Sequence, residues 1–191
     1  GEMQLTINIR TGLVDHYIAA GVEYVSNGAF APVLYQDSPD PWYMEKNCFP
    51  QKLGVFALTE ARRAHRYSDG AEILVPAVRI VENGAVRMLV EAEFVWGRSR
   101  LVQTYCLPKA GTSFEIMQDI FWNEADTMLK LEIPAAFKGD YLGQGMFGSG
   151  SLPPDGTECV SQKWCGLFGE KHALTICNSG IYGSHCVGST I

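Results

Sequence analysis

Ala77-Val78-Arg79-Ile80-Val81-Glu82-Asn83-Gly84-Ala85-Val86-Arg87-Met88-Leu89-Val90-Glu91-Ala92-Glu93-Phe94-Val95-Trp96 decides the fold class of this chain. Two apolar-rich runs flank Asn83-Gly84, a dipeptide that readily takes the left-handed backbone conformations of a tight hairpin turn. The stretch therefore reads as two antiparallel strands, Ala77 to Val81 and Val86 to Trp96, joined at Asn-Gly. The same rhythm continues on both sides. Leu101 to Leu107 and Ser113 to Phe121 form a second pair, linked through Pro108-Lys109-Ala110-Gly111. Upstream, Leu5 to Arg10 alternates and stops at Thr11-Gly12, Leu13 to Ile18 and Val22 to Val25 follow, and Ile73 to Val75 adds a short run. Downstream, Leu129 to Ile133, Cys159 to Trp164 and Ala173 to Cys177 complete the set. About a dozen strands at spacings near ten residues predict an all-β sandwich or large barrel. Only Phe56 to Arg66 leaves room for a turn or two of helix, and no segment repeats another.

Two stretches interrupt the pattern. Asp37-Ser38-Pro39-Asp40-Pro41-Trp42-Tyr43 joins prolines, acids and aromatics, and is expected as a loop. Gly139 to Gly156 holds six glycines and two prolines, and reads as a long irregular surface excursion. Strand-like patterning resumes after each, so neither is a linker, and residues 1–191 are expected as a single β-sandwich domain.

The chain has 191 residues, 47% hydrophobic and 19% charged, with no long apolar run. That is enough for a sizeable core and offers no membrane span. A net charge of −6 argues against nucleic acid as a partner, because phosphates would meet an acidic surface. The six cysteines, at 48, 106, 159, 165, 177 and 186, show no C-x-x-C spacing. They read as reduced thiols in a cytoplasmic protein rather than as metal knuckles or a disulfide framework. The start at Gly1 lacks the features of a signal peptide and points to a true N-terminus further upstream.

Candidates for chemistry are sparse. No Gly-x-Ser-x-Gly elbow and no phosphate-cradling loop before a helix is present. His16, His65, His172 and His185 show no metal-ligand spacing, and His172 falls in a turn-like stretch where exposure is expected. His185 and Cys186 are adjacent, and on a strand would face opposite sides. Sugar chemistry requires carboxylates and aromatic platforms. Asp37, Asp40, Asp119, Glu124 and Asp126 lie near Trp42, Tyr43, Trp96, Phe121, Trp122 and Trp164. Most of these aromatics are expected in the core. Trp42 is kept out of a regular strand by its proline-rich loop, and Asn178 and Tyr182 bracket a glycine turn where polar groups reach ligands. Glu124 is placed on the strand face of Trp122, with Lys130 as its expected ion-pair partner.

Phe121-Trp122-Asn123-Glu124-Ala125-Asp126-Thr127-Met128-Leu129-Lys130-Leu131 resembles the W-x-E-x-x-x-x-L-K segment of glycoside hydrolase family 38, the α-mannosidases. Asp37-Ser38-Pro39-Asp40-Pro41-Trp42 is similar to that family's D-x-P-x-x-W loop, and Asn83-Gly84-Ala85-Val86-Arg87 to its G-P-V-R turn. Lys163-Trp164 and Leu174 to Gly183 resemble its K-W … L-x-N-D-x-K-Y-G segment. The motifs occur in family order and cover almost the whole chain. The resemblance implies a galactose-mutarotase-like supersandwich of large, mainly antiparallel sheets, cut from a larger multidomain glycosidase. It implies a non-catalytic accessory domain that packs on the parent's catalytic domain and helps to form an α-mannoside site. The nucleophilic aspartate and the zinc of the retaining mechanism belong to that catalytic domain, so no catalytic residue, cofactor or metal is expected here. Asp37, Trp42, Asn178 and Tyr182 are the candidate substrate-binding residues.

The sequence departs from the family at two places. Asp140-Tyr141-Leu142-Gly143-Gln144-Gly145 replaces an E-I-P-x-G segment, and Asn178-Ser179-Gly180-Ile181-Tyr182-Gly183 lacks the expected acid and lysine. Two other readings stand beside the accessory domain. One is a free-standing carbohydrate-binding module. The other is a sugar mutarotase or epimerase, pairing His65 or His172 with Glu93 or Glu115.

Overall fold

The computed structural model describes residues 2–40, 42–43 and 47–191. Pro41 of the Asp37–Trp42 motif and the initial Gly1 lie outside them. Among the described residues the chain forms strands and turns without a helix. The first segment carries β1 (Met3–Ile7), β2 (Val14–Ala19) and the two-residue β3 (Val22–Glu23). It is followed by β4 (Ala31–Gln36) and β5 (Lys52–Val55). Next come β6 (Ala57–Leu58), β7 (Arg62–His65), β8 (Glu72–Val75), β9 (Val78–Asn83), β10 (Arg87–Trp96), β11 (Ser99–Pro108) and β12 (Glu115–Phe121). The last segment holds β13 (Thr127–Glu132), β14 (Asp140–Gly145), β15 (Gly148–Ser151), β16 (Cys159–Val160), β17 (Trp164–Phe168), β18 (Ala173–Cys177) and β19 (Gly183–Ser184). The fold class is all-β and antiparallel, that of a β-sandwich, as the alternation predicts.

These strands assemble into two compact units, one of Gly1–Val22 with Val55–Glu124, the other of Glu23–Gly54 with Ala125–Ile191. The first is built on a five-stranded sheet in the order β12-β11-β10-β6, with β9 also on β10. Register places Val90 opposite Tyr105, Ala92 opposite Gln103 and Phe94 opposite Leu101. All six are buried, which is the period of two expected for a sheet with one face on a core. Burial of a side chain such as Phe94 or Leu101 stabilises by roughly 1.5–3 kcal/mol.

Two buried polar groups on this face are satisfied in series. Gln118 Nε2 donates to Gln103 Oε1 at 2.7 Å, Gln103 Nε2 donates to Tyr105 Oη at 2.6 Å, and Tyr105 donates to the Gly12 carbonyl at 2.8 Å. Gly12 is required there. Its φ is +72°, and a Cβ would lie 2.7 Å from Leu58 and 2.8 Å from Phe94.

The hairpin read from Ala77–Trp96 is present, with its tip two residues later than expected. The Gly84 N–H donates to the Arg87 carbonyl at 3.0 Å, so Ala85 and Val86 form the tip. The register shift at Leu89/Val90 leaves Val81 unopposed as a bulge, and this displaces the turn. Phe56 to Arg66 is not helical. Ala57 and Leu58 pair with Val95 and Phe94, and Arg62–His65 pairs with Glu72–Val75, because sheet partners supply the backbone bonds a short helix would leave unmade.

Trp122 and Glu124 do not continue β12 as a strand. Trp122 stacks on Phe56 at 6.5 Å between ring centres. Glu124 accepts from the Arg98 N–H at 3.0 Å and from Ser99 Oγ at 2.9 Å, turning the chain out of the sheet.

The second unit contains the sheets β13-β4-β5 and β15-β14-β17-β18 and the pair β16-β19. β4 is its innermost strand, with Ala31 to Tyr35 all buried and Pro32 opposite Leu131. Gly139 to Gly156 is not an irregular excursion. Its glycines form the β14–β15 hairpin, with Leu142 opposite Ser151 and Gly145 opposite Gly148. The composition that hides the strand pattern has a steric reason. A Cβ on Gly143 would lie 2.6 Å from Leu152 Cδ1 and 2.9 Å from Ser161 Cβ, so this strand packs only if that position is bare. Nor is His172 an exposed turn residue: it is half-buried and makes edge contacts with Tyr24 and Phe137.

Candidate functional site

Hydrogen bonding ties the segments that carry Asn178 and Tyr182, and the β14 strand, to the same 161–163 segment in the second unit. Asn178 follows β18, and its N–H donates to the Lys163 carbonyl at 2.9 Å. Its side-chain oxygen accepts from the Gly180 N–H at 3.1 Å, which holds the glycine turn in shape. The Tyr182 carbonyl accepts from the Ser161 N–H at 2.9 Å. Gln144, near the end of β14, meets the same 161–163 segment twice: its carbonyl accepts from the Gln162 N–H at 2.9 Å, and its side chain from the Lys163 N–H at 3.1 Å. The two stretches that depart from the family pattern, 140–145 and 178–183, thus share the 161–163 segment as a common support.

These stretches also expose apolar side chains. Tyr182 is 47% exposed, and Met146, Phe147, Val160 and Ile181 are exposed more fully. Phe147 stands at the hairpin tip with φ +65°, a conformation that costs a residue with a Cβ of order 1 kcal/mol.

Asp37 and Trp42 lie on a separate loop after β4. The Asp37 N–H donates to the Asp126 carbonyl at 2.9 Å, and its carboxylate accepts from the Ser38 N–H at 2.8 Å. Trp42 is 94% exposed, and its N–H donates to Asp40 Oδ1 at 2.9 Å. Among the described residues, no hydrogen bond or ring contact joins Asp37 or Trp42 to Asn178 or Tyr182.

One charged cluster escaped the sequence reading. Lys130 pairs not with Glu124 but with Glu158, and Nδ1 of His185 lies 2.8 Å from Lys130 Nζ and 3.0 Å from Glu158 Oε1. A neutral ring accepts there from Lys130, and a protonated one donates to Glu158. The edge of His185 meets the Tyr35 ring at 5.8 Å, the Tyr35 hydroxyl donates to Glu132 Oε1 at 2.5 Å, and Lys52 closes on Glu132 at 2.8 Å. Desolvation works against ionisation of Glu158, yet the hydrogen bonds from His185 and Lys130 and their charges outweigh it, so its carboxyl titrates below the ordinary range. Burial and the adjoining Glu132 push the Tyr35 phenol up. The donors and acceptors of this group satisfy one another, so its role is to pin β4, β13 and the 158–185 segments together. A signal did exist: a lysine inside an apolar strand needs an acid, but that acid lies 28 residues away.

Among the described residues, no three His, Cys, Asp or Glu side chains come together as a metal-binding group. Glu93, one carboxylate of the mutarotase reading, is buried under guanidinium groups at 2.7 Å (Arg100), 3.5 Å (Arg79) and 4.0 Å (Arg62). His65 Nδ1 faces the Gly70 carbonyl at 3.2 Å.

The chain matches the sequence model of the glycosyl hydrolases family 38 C-terminal domain over residues 1–191, and it belongs to that family. No curated protein matches it.

Proposed function

We propose that this chain serves an α-mannosidase-type retaining glycosidase as its non-catalytic β-domain, packing on the catalytic domain and helping to wall the α-mannoside site. The observation that carries the reading is the 161–163 segment's shared support of Gln144 and of the segments that carry Asn178 and Tyr182, with Met146, Phe147 and Ile181 exposed nearby in sequence, in a chain matched end to end by the family's C-terminal domain. The exposed apolar side chains supply contact area for a protein neighbour. The amides and the phenol supply hydrogen bonds to sugar hydroxyls. Asp37 and Trp42 are proposed as further substrate contacts on their own loop. Zinc and the nucleophilic carboxylate belong, in this proposal, to the catalytic domain. Six free thiols support a cytoplasmic setting.

The test is kinetic. In the full-length enzyme, Tyr182→Ala and Asn178→Ala are expected to raise KM for an aryl α-mannoside about tenfold, the loss of roughly 1.4 kcal/mol of binding. An unchanged KM in both variants would remove these residues from the sugar site.

A further inference from the structure

We infer a second, separate carbohydrate-binding site in the first unit, on the face of the five-stranded sheet opposite its core, at the β11–β12 edge. A shallow, open depression lies there, lined by Arg100, Val102, Asp119, Ile120 and Phe121. Register explains the grouping. Arg100 stands directly opposite Phe121, and Val102 opposite Asp119, so these four side chains form a two-by-two patch on one face. β12 ends the sheet, which leaves the patch open along one side.

Each member has a distinct property. The Phe121 ring is 69% exposed, and its π face is free to cover the C–H face of a pyranose. Asp119 accepts no hydrogen bond and pairs with no cation among the described residues, so both oxygens are available to sugar hydroxyls. Arg100 is held in place by buried Glu93 at 2.7 Å while half its side chain remains exposed. A guanidinium has more N–H groups than one carboxylate can use, so others remain to donate. An aromatic platform flanked by one fixed donor and one open acceptor matches the alternating C–H faces and hydroxyl edges of a neutral hexose. A phosphate or carboxylate ligand would meet Asp119 and is disfavoured.

The choice of a sugar rests on the glycosidase reading above, but the site does not share its residues. The groove would hold a part of the glycan away from the reacting bond, or a second chain of it, as an ancillary contact. The same strand edge also exposes Met117, so self-association through β12 is the competing use of this face.

An NMR titration of the full chain with methyl α-mannoside, an α-linked mannobiose and methyl α-galactoside tests the inference. Saturable shifts are expected at Asp119, Ile120 and Phe121 with at least one of these sugars. Phe121→Ala and Asp119→Asn are each expected to weaken binding roughly tenfold, whereas Phe121→Trp retains it. Both positions are exposed, so the variants fold. Shifts confined to Asn178 and Tyr182 would overturn the groove and leave the proposed function standing. Absence of any shift at Phe121, shifts that persist in both weakening variants, or shifts that follow protein concentration without sugar would overturn it too.

Discussion

The Lys163 N–H donates to the Gln144 side-chain oxygen at 3.1 Å, and the Lys163 carbonyl accepts from Asn178 at 2.9 Å. One residue thus couples the glycine hairpin to the turn that carries Tyr182. A side chain that can still accept but is shorter by a methylene, Gln144→Asn, is expected to loosen both. Faster amide hydrogen exchange at Lys163 and Asn178, with the exchange of β10 and β11 unchanged, is the expected outcome.

Gly143 is required for steric reasons, whereas Gly145 is free. Ala at 143 would meet Leu152 and Ser161, while nothing lies within 4 Å of a Cβ at 145. Gly143→Ala is therefore expected to destabilise by roughly 1–3 kcal/mol. Gly145→Ala should be neutral or stabilising by about 0.5 kcal/mol, through the unfolded chain. Urea unfolding of the two variants separates the cases.

Glu158 is half-buried beneath Lys130 and His185, and neutralising it alone strands Lys130. Glu158→Gln is expected to lower stability by about 3 kcal/mol, and Lys130→Met with Glu158→Leu to recover much of that loss. Should the double variant prove no more stable than the single one, the pair would be adding net stability rather than merely avoiding an unpaired charge.

Acid should act through the same carboxyl. Its ordinary pKa is 4.5, and in the fold it lies lower. The ionised form is thus favoured by folding. That contribution is complete above an ordinary 4.5 and disappears as pH falls through the lowered value. Urea midpoints taken from about pH 6 down to about pH 3 should fall more steeply for the native sequence than for Glu158→Gln.

The thiols differ in burial. Burial pushes Cys186 up to about 11, so at about pH 8 only roughly a thousandth of it is thiolate. Cys177 is exposed. Alkylation followed by mass spectrometry should label Cys177 early and Cys186 only on unfolding.

How much of this was legible depends on what each element buries. β10 and β11 face the core on one side, so Ala92, Phe94, Leu101 and Tyr105 imprint a period of two that is readable without a structure. β4 is buried along Ala31–Tyr35 and carries Pro32, so it shows neither alternation nor a proline-free run and leaves no strand signal in the sequence. The β14–β15 hairpin reads as irregular because close packing at Gly143 requires a residue with no pattern to read. The glycine turn that Asn178 and Tyr182 bracket is legible in the sequence, and the structure forms it with the Gly180 N–H on Asn178 Oδ1. Gln144 shows no such signal, because its partner Lys163 is reached only through strand pairing. The Lys130–Glu158–His185 cluster is assembled from three separate segments, and no local spacing announces it.

The most direct test compares hydrolysis of an aryl α-mannoside by the full-length enzyme and by this chain alone, with and without added zinc. The accessory-domain account predicts turnover by the full-length enzyme and none by the isolated chain under either condition. Turnover by the isolated chain, abolished by substituting one of its own residues, would contradict it.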